Sequence, residues 1–209
     1  MTSHVPDDEE ARLAWEFTLL GQNPFNWVLS GASLLAAADL AYGRFIAAAR
    51  LQAGLYHRDT AGRLVAVSRV LSQAEVDLLP DLQLGPVALM LLGFGIENWA
   101  KGLMVQVDPT LVAPGGLAVA LKNHRLGGLV RACNEELDGE EERALTLLSQ
   151  YTMWAGRYPI PVRPFAPRPQ PDPSTLSPQV DAEWLWDNAG RVVTRLRQRV
   201  KAEFPNAAV

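Results

Sequence analysis

Apolar residues recur at helical spacing along most of the chain, and glycine and proline clusters divide the pattern into segments. A first short segment follows the acidic residues 7–10 and continues to Leu20. Acidic residues at a helix start are favoured by the helix dipole. After the turn cluster 21–24, the stretch Ser30–Leu55 is rich in alanine and leucine and contains no proline. This composition predicts a long second helix.

The middle of the chain predicts one more long helix after a less regular region. Residues 57–63 are expected to form a loop, and the β-branched apolar run 64–71 a short strand or irregular structure. Ser72 and Glu75 have capping-box spacing, so a short helix should begin there, and Pro80 should end it. The apolar stretch Gln83–Val107 then predicts a second long helix.

Three further segments follow the turn at residues 114–116. A short helix is expected over Leu117–Leu121, and Asn123 is a suitable N-cap for the next helix. That helix carries an apolar stripe at positions i, i+3, i+4 and i+7, formed by Leu126, Leu129, Val130 and Cys133. The acidic segment 135–142 predicts the start of another helix, which continues to Ala155.

The last fifty residues combine a proline-rich segment with a final helix. Eight prolines lie between Pro159 and Pro178, which is incompatible with a helix or a central strand and predicts an extended strap. Ser177 and Pro178 form an N-cap and N1 pair for the final helix. Its apolar stripe consists of Leu185, Ala189, Val192, Leu196 and Val200. Trp184 and Trp186 are expected to dock it on the body.

Together these elements predict an all-α fold, an antiparallel helical bundle with a proline-rich strap and a C-terminal helix. We divide the chain into a bundle over residues 1–159, a strap over 160–180 and a helix over 181–209. The chain has 209 residues, enough to bury a sizeable core.

Composition excludes several kinds of site. The chain is 48% hydrophobic, 20% charged and carries a net charge of −4, so no overall charge favours nucleic acid. One cysteine and three histidines argue against a disulfide framework and against a metal site, and no cofactor is expected. The N-terminus is acidic, and the longest apolar run, residues 84–96, is interrupted by glycine and proline. We therefore expect a soluble, cytoplasmic protein with no membrane span.

Three segments, taken in order, resemble the HEPN family of helical modules. They are Glu97–Leu103 (ENWAKGL), Leu121–Leu129 (LKNHRLGGL) and Tyr151–Pro159 (YTMWAGRYP). The Arg-Tyr-Pro helix end is similar to the branch with nucleotidyltransferase-associated and sacsin-type members. The resemblance covers residues 83–159. It implies an antiparallel bundle that forms homo-oligomers, most often a homodimer, and that binds a nucleotide, RNA or a protein partner, as in prokaryotic defence or toxin–antitoxin systems.

The resemblance also implies a candidate site. The ligand-binding residues that it suggests are Glu97, Lys101, Lys122, His124, Arg125, Arg157 and Tyr158. Several of them have a plainer structural interpretation. Glu97 and Lys101 have the spacing of a surface helix ion pair, His124 could cap or pack at a helix start, and Arg157 could bind the last carbonyls of its helix.

Catalysis is the weaker hypothesis. Many HEPN members are metal-independent RNases that use an arginine followed closely by a histidine. The formal match here is Arg50 with His57, but Leu51 replaces the usual polar residue and the pair lies early in the chain. We therefore favour a non-catalytic binding module over a divergent RNase or a structural adaptor. The final helix carries several cations, among them Arg195. We expect these side chains to form a face that is exposed to solvent or that contacts nucleic acid.

Overall fold

Helices make up most of the computed structural model, which describes residues 8–155 and 178–207. In these two ranges the helices are α1 Glu9–Gln22, α2 Pro24–Gly54, α3 Gln73–Leu78, α4 Leu84–Val107, α5 Leu126–Ala132, α6 Gly139–Gln150 and α7 Pro178–Glu203. Two small antiparallel hairpins pair β1 Tyr56–Arg58 with β2 Leu64–Ala66 and β3 Val112–Ala113 with β4 Gly116–Leu117. The predicted all-α character is confirmed.

Capping residues explain where the first two helices begin. The Asp8 carboxylate accepts a hydrogen bond from the Ala11 amide at 2.9 Å, so α1 starts at Glu9. The Asn23 side chain accepts from the Phe25 amide at 3.1 Å and Pro24 occupies the first turn, so α2 begins there. The prediction that this helix starts at Ser30 was wrong by about a turn and a half. The cluster 21–24, which was predicted to interrupt the chain, contains a single capping residue, Asn23, between two helices.

Two further boundaries differ from the sequence predictions. Residues 57–63, predicted as a loop, contribute the last two residues of β1, and the turn of the hairpin follows. Pro80 ends the short helix as predicted, since α3 stops at Leu78. It lies in the first turn of a 3₁₀ helix, Leu79–Gln83, that leads directly into α4. A proline fits a first turn because its missing N–H has no intrahelical partner there. The predicted short helix at Leu117–Leu121 is a 3₁₀ turn over Val119–Lys122.

Helices α2 and α4 run antiparallel and form the largest contact in the described part of the protein. Small residues allow the backbones to approach. A Cβ added at Gly31 would lie 2.4 Å from the Trp99 ring, and one added at Gly95 would lie 2.5 Å from Leu35. The Trp99 indole N–H donates to the Val28 carbonyl at 3.0 Å. Glycine is therefore required at these crossings by space rather than by backbone conformation.

The final helix packs on this core through its predicted apolar stripe, all of which is buried. Trp186 stacks on Tyr42 with ring centroids 3.8 Å apart, and Trp184 donates to Glu140 at 3.0 Å. The docking role predicted for the two tryptophans is confirmed. The Arg195 guanidinium donates two hydrogen bonds of 2.8 Å to the Glu141 carboxylate. This cation of α7 therefore contacts the body, and the prediction of a solvated or nucleic-acid-binding face was wrong for it.

The predicted strap falls almost wholly outside the described residues, as does Ser177; α7 begins at Pro178, within the predicted strap. Helix α1 has no buried residue and exposes Leu13, Phe17 and Leu20. Two helical runs in the described ranges, Pro24–Gly54 and Gln73–Val107, are long and apolar enough to span a bilayer. Core helices of soluble proteins have the same length and composition.

Candidate functional site

The site begins with an ion pair inside the protein. Glu97 and Lys101 lie one turn apart on α4, with the Lys101 Nζ 2.6 Å from the Glu97 Oε1. Their exposed fractions are 7% and 4%. Helix α4 contacts α2, α5, α6 and α7, so little of its surface at this level faces solvent. The pair expected on the surface is thus buried. Each charged group replaces part of the hydration that the other has lost on burial.

His124 extends this pair to the surface. Its Nδ1 lies 3.0 Å and 3.1 Å from the two oxygens of the Glu97 carboxylate, and about half of its side chain is exposed. A carboxylate accepts hydrogen bonds, so this geometry places a proton on Nδ1. Three of the seven predicted ligand-binding residues therefore form one connected chain from the interior to the surface.

The segment around His124 is fixed at both of its ends. The Asn123 side chain accepts a hydrogen bond from the Arg125 amide at 2.9 Å. The Ser149 hydroxyl on α6 accepts from the Leu126 amide at 3.0 Å. The N-cap position of α5 is Arg125 rather than the predicted Asn123, and its side chain makes no capping hydrogen bond. The predicted stripe of α5 is nevertheless buried.

A groove of about 600 Å³ lies beside this segment, between α5 and α6. Its lining residues are Asn123, Arg125, Gly127, Gly128, Arg131, Glu142, Thr146, Ser149, Gln150 and Met153. Arg131 pairs with Glu142 at 2.5 Å. Arg125 and the neighbouring Lys122 are exposed, and neither forms an ion pair with another described residue. The local charge is therefore positive although the chain as a whole is acidic.

The far wall of the groove carries two features that the sequence motifs did not indicate. The Gln150 amide oxygen is shielded from solvent and has no hydrogen-bond partner. The next residues, Tyr151–Ala155, form a π-helical turn, in which Thr152 is buried and donates to the Ser149 carbonyl at 2.9 Å. Single π turns occur often at functional sites because they redirect side chains. Sequence offered no signal for Gln150, since a glutamine at a helix end is ordinary.

The remaining candidates do not join this cluster within the described residues. Arg50 is exposed on α2, and its guanidinium lies 3.9 Å from the Glu183 carboxylate. The side chain of His57 and all of Arg157 and Tyr158 lie outside the described part of the protein. Arg50 therefore contacts α7.

Other ionisable groups in the described ranges have structural surroundings. Burial raises the pKa of the Cys133 thiol to about 11, and the thiol donates to the Ala100 carbonyl at 3.3 Å. A thiol held protonated in this way is a poor nucleophile and a poor metal ligand. No group of three or more potential metal-ligating side chains occurs among the residues that the structure describes.

Comparison with protein-family models, with curated proteins and with solved structures finds no match to this chain.

Proposed function

We propose that this chain is a non-catalytic helical module, a HEPN-like antiparallel bundle, that binds the phosphate group of a nucleotide in the groove between α5 and α6. The observation that carries the proposal is the exposed cation Arg125 on the wall of a sizeable groove, next to Lys122, with no acidic partner among the described residues. A guanidinium fork suits phosphate oxygens, and its hydrogen bonds to an anion are stronger than neutral ones.

The shape of the groove supports a small ligand. A volume of about 600 Å³ lies within the range of roughly 300–1,000 Å³ that is typical of small-molecule sites. Long RNA binds through many phosphate contacts. The groove offers two cations, and one of them, Arg131, is already paired with Glu142. We therefore favour a single nucleotide over an extended nucleic acid.

In this proposal the buried residues position the binding residues. Glu97 holds His124, and Ser149 holds the amide of Leu126, so the intervening Arg125 starts from a fixed backbone. Ordering a loop on binding costs free energy, and a segment that is already anchored avoids much of that cost. Lys101 contributes by donating a hydrogen bond to the Glu97 carboxylate inside the protein.

Isothermal titration with ATP and AMP tests the proposal. We expect Arg125→Ala to weaken nucleotide binding about tenfold, since a charged hydrogen bond to phosphate is lost. Arg12→Ala is the matched control, because Arg12 is an exposed arginine on α1, distant from the groove lining. Equal affinities for the two variants, or no nucleotide binding by the native protein, would contradict the proposal.

A second candidate, a metal-independent ribonuclease, is favoured by one observation, the pairing of His124 with Glu97. A histidine oriented through Nδ1 by a carboxylate has a free Nε2 that can shuttle a proton, and Arg125 lies beside it. Incubation with total RNA tests this candidate. Cleavage lost in His124→Gln would place the activity at this cluster. Cleavage lost in His57→Ala instead would place it at the Arg50 and His57 pair.

A further inference from the structure

The Gln150 amide is the one described side chain with a buried oxygen or nitrogen that no hydrogen bond satisfies. Its neighbours along the helix are satisfied, because the Ser149 hydroxyl donates to the Leu145 carbonyl at 2.7 Å and the Thr152 hydroxyl donates to the Ser149 carbonyl. Buried acceptors in folded proteins almost always have a donor, and an exception calls for a physical reason.

Gln150 also lines the groove, although its amide oxygen is shielded from solvent in this structure. The last torsion of a glutamine has a broad energy profile, and a rotation about it can turn the oxygen toward the groove. A ligand that brought an N–H donor to this wall would supply the missing hydrogen bond. The ligand would therefore relieve a cost that the empty protein carries.

We propose that Gln150 determines the specificity of the groove, by accepting a hydrogen bond from the exocyclic amino group of the nucleotide base. This inference rests on the proposed nucleotide-binding function. Arg125 would hold the phosphate from the α5 side, and Gln150 would recognise the base from the α6 side. Met153, in the π turn, is about half exposed on the same wall and offers a polarizable apolar contact to a planar ring.

The chemistry predicts which bases are rejected. A site built around a hydrogen bond discriminates strongly against an analogue that lacks the group, because the polar partner in the protein is then left unpaired. Purine riboside 5′-monophosphate differs from AMP by the amino group alone. Pyrimidin-2-one riboside 5′-monophosphate differs from CMP in the same way. These two pairs isolate the proposed contact from phosphate and sugar binding.

The experiment measures the dissociation constants of both pairs with the native protein and with Gln150→Met. Methionine has nearly the length of glutamine and no strong acceptor. We expect the native protein to bind the amino-bearing member of at least one pair about tenfold more tightly, and Gln150→Met to bind both members alike. The variant should also unfold at a temperature no lower than the native protein, since it removes an unpaired buried oxygen.

The outcomes separate this inference from the function on which it rests. Binding without discrimination, or discrimination that survives in Gln150→Met, would overturn the role of Gln150 and leave the nucleotide site in place. Absence of binding by the native protein to all four compounds would overturn both. Arg125→Ala should weaken the two members of each pair equally, because its contact is with the phosphate.

Discussion

Replacing Lys101 by methionine should destabilise the protein severely, because it leaves the buried Glu97 carboxylate without its cationic partner. The side chain of Glu97 is 9% exposed and that of Lys101 is 5% exposed, and 2.6 Å separates the Glu97 Oε1 from the Lys101 Nζ. Removing one partner of a buried ion pair costs about 3–5 kcal/mol. His124 remains as a second hydrogen-bonding partner of Glu97, which argues for the lower end, about 3 kcal/mol.

The double variant Glu97→Met/Lys101→Met tests the reasoning. It removes both charges and leaves His124, which is half exposed and can bond to water. Replacing a buried ion pair by apolar residues of similar volume is often close to neutral. We therefore expect the double variant to be more stable than Lys101→Met alone, by about 2 kcal/mol or more.

Urea unfolding followed by circular dichroism measures these differences. With a slope of about 2–3 kcal/mol per molar, a loss of 3 kcal/mol lowers the midpoint by roughly 1–1.5 M. Lys122→Met is the control, since Lys122 is exposed and should change stability by less than about 0.5 kcal/mol. A single variant as stable as the double, or as the control, would refute the idea that the pair is electrostatically interdependent.

Two further predictions concern packing and acid stability. Gly31→Ala should lower the free energy of unfolding by about 1–3 kcal/mol, because the added methyl meets the buried Trp99 ring. Gly43→Ala on the same helix meets no atom within 4 Å and should raise the melting temperature. The Arg195 hydrogen bonds hold the pKa of the Glu141 carboxyl below its ordinary value of 4.5. A lowered folded pKa stabilises the protein above the unfolded value, and this contribution is lost as pH falls through the folded one. Glu141→Gln should therefore show a smaller fall in urea midpoint on acidification below about pH 5. An unchanged Gly31→Ala protein, or equal acid sensitivity in native and Glu141→Gln proteins, would contradict these arguments.

Sequence identified the helices whose boundaries depend on local chemistry. The capping box of Ser72 and Glu75 forms as predicted, and the apolar stretch ending at Val107 is a helix over nearly its predicted bounds. The errors concern residues with two local meanings. Asn23 can mark a loop or a cap between consecutive helices, and residues 117–121 can form an α-helix or a 3₁₀ turn. The role that such a residue takes depends on how the following helix packs. The spacing of residues along the sequence does not show this packing.

The sequence predicted only part of the candidate site, because tertiary packing again decides the rest. The spacing of Glu97 and Lys101 places them on one face of α4, but it is identical for a surface pair and a buried pair. Burial follows from the four helices that surround α4, and these come from distant parts of the chain. The charge of Arg195 was equally visible in sequence, whereas its partner Glu141 lies 54 residues away. The unpaired oxygen of Gln150 is a property of tertiary packing and has no sequence signal.

The structural and functional interpretations of the Glu97 cluster are compatible, because one residue can serve both. Glu97 pairs with Lys101 inside the protein, and the same carboxylate fixes His124, whose neighbour Arg125 lines the groove. If the hydrogen bond between Glu97 and His124 positions Arg125, replacing His124 should make the segment around Arg125 more mobile. The core should remain folded, since the His124 side chain is half exposed. Affinity for a phosphate-bearing ligand would then fall while the free energy of unfolding changed little. A purely structural cluster predicts the reverse, since its loss would lower stability and leave any ligand contact at Arg125 intact.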